Sequence, residues 1–174
     1  MPEMRYVGTA HEEGLAIRDS RRCRDLIKSE WYQELWPIEL SRDLDGKREF
    51  GNTSKGFRQA RSFTSLTGVR GDRVILDDPI SADNANSEPK LEAAKVTFTE
   101  TLPTRVNSEK SAIVVIMQRL NELDVAGAVG LERVDHGHVG RRVGADHLGR
   151  VALAVLEVDL DGGRVGDHVL VGED

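Results

Sequence analysis

Two adjacent carboxylates, Asp77 and Asp78, follow the apolar run Val74-Ile75-Leu76 and precede Pro79. Neighbouring acids at the end of a buried strand suit a nucleoside triphosphate site, where one holds Mg²⁺ and the next polarises the attacking water. Paired carboxylates also hold two metals in nucleases. That chemistry needs further acidic ligands at separate strand ends, which the sequence does not place. The plainest reading is a buried strand that enters an Asp-Pro turn, since proline has no N–H to continue a ladder.

The elements that would position the pair are legible as hydrophobic runs. Val74, Ile75 and Leu76 lie side by side without polar alternation, which predicts a strand buried on both faces of a mostly parallel sheet. Open α/β sheets bind ligands at the C-terminal ends of their strands, where Asp77 and Asp78 fall. A second unbroken run, Ala112-Ile113-Val114-Val115-Ile116-Met117, predicts another such strand, and it exits into Gln118. Between them, Ser87 suits an N-cap for a helix over residues 89–102, with Leu91, Ala94, Phe98 and Leu102 as its core stripe and Pro103 as its stop. Strand, helix and strand at these spacings form a βαβ unit with a right-handed crossover. Asp77, Asp78 and Gln118 then emerge along one sheet edge.

Nearer the start, residues 4–9 read as a short strand that begins with almost no lead-in, an expectation that something lies upstream. Thr9 and Glu12 have the spacing of a capping box. Residues 12–28 then read as a helix with Leu15, Ala16, Cys23, Leu26 and Ile27 on its apolar face, weakened by about 1 kcal/mol at Gly14. Its arginines, Arg18, Arg21, Arg22 and Arg24, alternate with Asp19 and Asp25 and read as a solvated side, with phosphate contact as the rarer use. Trp31, Tyr32 and Trp36 sit on a short helical turn closed by Pro37 and read as packing residues. Residues 47–50 and 57–62 predict two short antiparallel strands separated by turn signals. The glycines of Thr67-Gly68-Val69-Arg70-Gly71-Asp72 permit a tight loop into the central strand, and Arg70 reads as a surface arginine.

Composition bounds the rest. The chain has 174 residues, a formal net charge of -6 and 31 % charged residues. That size is one ordinary domain or a piece of a larger protein, and the charge removes any easy argument for a nucleic-acid binder. Cys23 is the single cysteine, so no internal disulfide forms, in keeping with a reducing compartment. The apolar run 112–117 is far too short to cross a bilayer, and no N-terminal signal is visible. The expectation is a cytoplasmic protein with no membrane partner.

At this point several segments resemble the large terminase subunit of tailed bacteriophages. They are Ser29-Glu30-Trp31-Tyr32-Gln33, Asn52-Thr53-Ser54-Lys55-Gly56, the loop 67–72, Val74-Ile75-Leu76-Asp77-Asp78-Pro79, and Ile116-Met117-Gln118-Arg119-Leu120-Asn121-Glu122-Leu123-Asp124. Their order matches, and the resemblance covers roughly residues 4–127. The resemblance implies a P-loop ATPase domain that drives double-stranded viral DNA into a procapsid, in the bacterial host cytoplasm. By the same likeness Asp77 is the Walker B acid that holds Mg²⁺, Asp78 is the catalytic carboxylate, and Gln118 belongs to the region that senses ATP. The implied partners are double-stranded DNA, the portal protein, the small terminase subunit and further copies of the subunit, since the family motor is a homo-oligomer.

Two departures accompany the likeness. The family's glycine-rich phosphate-binding loop and its lysine are missing from this chain, which removes the cradle for the β- and γ-phosphates. The resemblance implies that the strand bearing that loop pairs beside residues 112–117, so the latter run is expected to be an exposed edge. The expected fold is therefore α/β, an incomplete P-loop NTPase-type, mostly parallel sheet with flanking helices and a short antiparallel β pair. The family's C-terminal nuclease domain has no counterpart either.

Residues 128–174 contain only Ala, Val, Gly, Leu, Glu, Arg, Asp and His. All eight can be written with codons that begin in G or C, as in an out-of-frame read of GC-rich DNA joined near Gly127. The division expected is a partial ATPase domain over 1–127 and an irregular low-complexity tail over 128–174; the alternative is a small β-rich extension. His136, His138, His147 and His168, with Asp135 and Asp146, match metal-ligand types, but the biased composition accounts for them. Function is then that of a crippled packaging ATPase, with an inactive prophage remnant or a non-catalytic interaction module as alternatives.

Overall fold

In a computed structural model of the chain, the residues described are 2–108, 110–118, 120–128 and 151–153. Strand β1 (Arg5–Ala10) leads into helix α1 (Glu13–Ile27) and the short α2 (Glu30–Leu35). Strands β2 (Leu40–Asp45), β3 (Glu49–Asn52), β4 (Phe57–Ser62) and β5 (Arg73–Asp77) follow. Helix α3 (Glu88–Val96) then precedes β6 (Ala112–Ile116), α4 (Val125–Ala128) and β7 (Val151–Leu153). The strands form one seven-stranded sheet in the order β2-β3-β4-β1-β5-β6-β7. Strands β4, β1, β5, β6 and β7 are parallel neighbours, while β3 is antiparallel to both β2 and β4. The expected α/β class and mostly parallel sheet are therefore present, and the antiparallel part is one strand larger than the predicted pair, through β2.

The core lies on one sheet face. Val7, Val74, Leu76, Ile113 and Val115 point there and pack against Leu91, Ala94, Phe98 and Leu102, all buried. The predicted stripe of α3 is thus the one that packs. The helical path continues beyond α3 through a π turn (Thr97–Thr101) and a 3₁₀ turn (Leu102–Arg105). Pro103 falls in the first turn of the latter, where its missing N–H costs nothing, so it does not stop the chain's helical course.

The opposite face is only partly covered. Helix α1 packs Ala16 on Ala10 and Ala60, over β1 and β4. No described helix covers β5 and β6 in the same way, so Ile75, Val114 and Ile116 keep partial exposure while Val74, Leu76, Ile113 and Val115 are buried. This corrects the expectation of strands buried on both faces. An uninterrupted apolar run fits either case, because the sequence does not show which faces acquire helices.

Three further expectations are corrected. Thr9 does not cap α1: it is buried within β1, paired with Leu76 and Arg61, and the helix starts only after Glu12, which makes no side-chain cap bond. Trp31 and Trp36 are not core residues but 58 % and 55 % exposed, meeting each other edge to face with ring centroids 6.0 Å apart. The six-residue α2 has no fully buried side chain, and Trp36 meets both Trp31 and Tyr32. Finally, β6 is not an edge: Ile113, Val114 and Val115 pair with Val151, Ala152 and Leu153 of β7. A regular strand thus occurs inside the tail predicted to be irregular. The four tail histidines lie outside the described residues.

Candidate functional site

Parallel register places the two acids. Asp77 closes β5 opposite Ala10 of β1 on one side and Ile116 of β6 on the other. The Asp78 N–H donates to the Ile116 carbonyl at 2.8 Å, which carries the ladder one residue past the strand. The chain then turns sharply: Asp78 has φ +42°, in the left-handed region that aspartate tolerates better than most residues. On the β1 side its carbonyl accepts the His11 backbone N–H at 3.1 Å and the His11 ring Nδ1–H at 3.0 Å. A carbonyl only accepts, so Nδ1 supplies the proton of this bond. Asp78 is exposed, Asp77 half-buried, and Pro79 and Ile80 turn back into the core.

A cleft of about 210 Å³ opens on the partly covered sheet face, lined by Gly8, Thr9, Ala16, Asp19, Arg58, Ile75, Asp77 and Ile116. Asp77 and Asp19 supply its negative charge and Arg58 its positive charge. Burial pushes the Asp77 carboxyl above its ordinary value, and repulsion from Asp78 and Asp19 pushes it the same way; Arg18 and His11 offset part of this. Arg18 in turn is raised above its ordinary value by its hydrogen bond to Asp19, 2.9 Å from Nε to Oδ1. Asp77 therefore keeps a proton more readily than an ordinary aspartate does.

Among the described residues no cluster of three or more His, Cys, Asp or Glu side chains encloses a metal position. Asp77, partly buried, and Asp78, exposed, are the two adjacent carboxylates at this strand end.

Gln118 is exposed two residues past Ile116, at the same end of the sheet as the two aspartates. Among the described residues it hydrogen-bonds to neither. Arg119 lies outside the described residues. Asp124 is structural: its carboxylate, buried at 1 % exposure, accepts the backbone N–H groups of Leu120, Asn121 and Gly127. Asp72 is likewise a tie, accepting from the Arg5 N–H and Asn107 Nδ2, both at 2.9 Å, while Arg70 is exposed as expected. Cys23 is a free, partly buried thiol.

Sequence reasoning singled out neither His11 nor Arg58, and took Asp19 only as a surface acid. His11 had one readable signal, its place directly after a predicted strand. That this strand neighbours β5 is a tertiary fact. Arg58 and Asp19 carried no signal, since a strand arginine and a helix aspartate are ordinary surface residues. No protein-family model and no curated protein matches the chain.

Proposed function

We propose that residues 4–127 form a partial P-loop-type ATPase unit of the kind found in the large terminase subunit, with Asp77 and Asp78 facing a magnesium-bound triphosphate. The observation that supports this reading is the placement of two consecutive acids at the C-terminal end of an interior parallel strand, with Gln118 at the same edge. Bound Mg²⁺ would supply charge neutralisation between phosphate oxygens and the acids. Asp77, crowded by Asp78 and Asp19, holds the cation, and Asp78, exposed on a turn fixed by His11 and Ile116, is the acceptor for a water proton. From residues 1–174 alone, nucleotide binding is expected to be weak and turnover low. Host cytoplasm is the compartment this reading entails, and among the described residues no helix is long and apolar enough to cross a membrane.

Titration of the isotopically labelled chain with Mg²⁺-ATP tests it. Amide shifts centred on Asp77, Asp78 and Gln118, lost in Asp77→Asn, are the expected result. Shifts elsewhere, or none at millimolar nucleotide, would sink the assignment. A phosphate-release assay, alone and with double-stranded DNA, is expected to stay near background.

A second reading, a non-catalytic assembly module, is favoured by one feature. Leu26, Trp31, Leu35 and Trp36 are each more than half exposed, an unusual concentration of apolar surface on neighbouring helices. Pull-down by portal protein or small terminase subunit, lost in a Trp31→Ala/Trp36→Ala double variant, would support it. Capture that is indifferent to these residues would remove it.

A further inference from the structure

We propose that Arg58 is a phosphate-binding residue of this cleft, holding the anionic end of a ligand whose metal-bound end meets Asp77. The inference rests on the reading of Asp77 and Asp78 as a metal–phosphate edge, and it adds a residue that the terminase likeness does not supply. Arg58 stands on β4 opposite Tyr6, and its guanidinium reaches two residues along the neighbouring strand to lie over Gly8. A Cβ on Gly8 would come within 2.8 Å of Arg58 Nη2, so the absent side chain is what leaves room for the guanidinium over Gly8. Gly8 pairs with Ile75, and Ala10, two residues on, pairs with Asp77. The guanidinium is therefore directed along the cleft floor towards the acids.

Among the cations that line or flank this cleft, Arg58 lacks a partner; Arg61, further along β4, likewise has a buried Nε without an acceptor but does not line the cleft. On α1, Arg18 and Arg22 share Asp19, and Arg21 pairs with Asp25. Arg48 on the adjoining turn takes Glu13. Among the described residues Arg58 makes no ion pair or hydrogen bond, and its Nε is buried without an acceptor. A buried donor left unmet is costly, and it marks the place where an acceptor fits. Neither Asp19 nor Asp77, which line the same cleft, is within ion-pair distance of it.

A planar fork of N–H donors beside two carboxylates is matched by a ligand with both polarities, a phosphate carrying a divalent cation. The cleft, at about 210 Å³, is smaller than the roughly 300 Å³ at which pockets begin to enclose drug-sized ligands. It suits one or two phosphoryl groups, with the remainder of any nucleotide outside.

Inorganic pyrophosphate, with and without Mg²⁺, is the probe, titrated calorimetrically into the full chain and its variants. Arg58→Gln is expected to weaken pyrophosphate binding about tenfold or more, and Arg58→Lys to recover part of the loss. Gly8→Ala keeps the charge but makes the guanidinium shift off Gly8, and it is expected to weaken binding measurably but less than Arg58→Gln. Circular dichroism of each variant identifies any that fail to fold, and Gly8→Ala carries the test if the Arg58 variants do. Pyrophosphate binding that is equal in all four folded proteins, or absent from the unaltered chain, overturns the inference. Asp77→Asn separates the two readings: it should abolish the Mg²⁺ enhancement but not the metal-free binding. If Mg²⁺ enhancement persists in Asp77→Asn while Arg58 dependence holds, the metal assignment fails and the Arg58 inference stands.

Discussion

The carbonyl of Asp78 is held twice by His11, through the backbone N–H at 3.1 Å and through ring Nδ1 at 3.0 Å. The second of these bonds makes the side chain of a residue on the β1 exit part of the turn that carries the two acids. Removing it in His11→Ala is expected to cost about 1 kcal/mol, the usual net value of one hydrogen bond. Urea unfolding of the two proteins measures this; an unchanged midpoint would show that the ring contributes nothing to the turn.

Asp77 links stability to pH in the less common direction for an aspartate. Its carboxyl lies above the ordinary value because it is partly buried and faces Asp78 and Asp19. The folded chain therefore binds that proton more tightly than the unfolded chain does. Stability from this group is greatest below the ordinary aspartate value and is lost as pH rises through the raised one. Asp77→Asn is expected to raise Tm at neutral pH, with the gain fading once the solution is acidic enough to protonate an ordinary aspartate. Thermal unfolding across the acid range is the measurement, and a gain that did not fade would assign the effect to packing.

Backbone strain sits beside the same acid. At φ +42°, Asp78 occupies a region where a β-carbon crowds the chain and glycine does not. Asp78→Ala is expected to be about 1 kcal/mol less stable than Asp78→Gly, by chemical denaturation. Equal stabilities would mean that the turn relaxes out of the left-handed region.

Two aromatic residues with similar apolar character should behave oppositely. Phe98 is fully buried against the sheet, and Phe98→Ala is expected to cost about 3–5 kcal/mol. Trp36 is more than half exposed, and Trp36→Ala is expected to stay within about 0.5 kcal/mol of the parent. Acrylamide should quench the tryptophan fluorescence of the folded chain efficiently, since both Trp31 and Trp36 reach solvent.

The βαβ unit was readable because each of its signals is local. Two unbroken apolar runs, the Leu91–Ala94–Phe98–Leu102 spacing and the Asp-Asp-Pro stop each follow from residues a few positions apart. The structure bears out the strands, the helix stripe and the common edge of Asp77, Asp78 and Gln118. The tryptophans misled because aromatic spacing carries no information on whether another element arrives to cover it.

The amino-acid order by itself determined that a strand ends in two acids and that a helix returns to a parallel neighbour, since backbone geometry and apolar periodicity act over short range. Tertiary structure alone decided that β1 lies next to β5, bringing His11 onto Asp78 and Asp19 and Arg58 into the cleft with Asp77. It also decided that, among the described residues, no helix covers one face of β5 and β6 as α3 covers the other, and that β7 pairs along β6. Strand order depends on which surfaces meet across many residues of intervening chain, and that choice is made by the packing of the whole sheet rather than by any one segment.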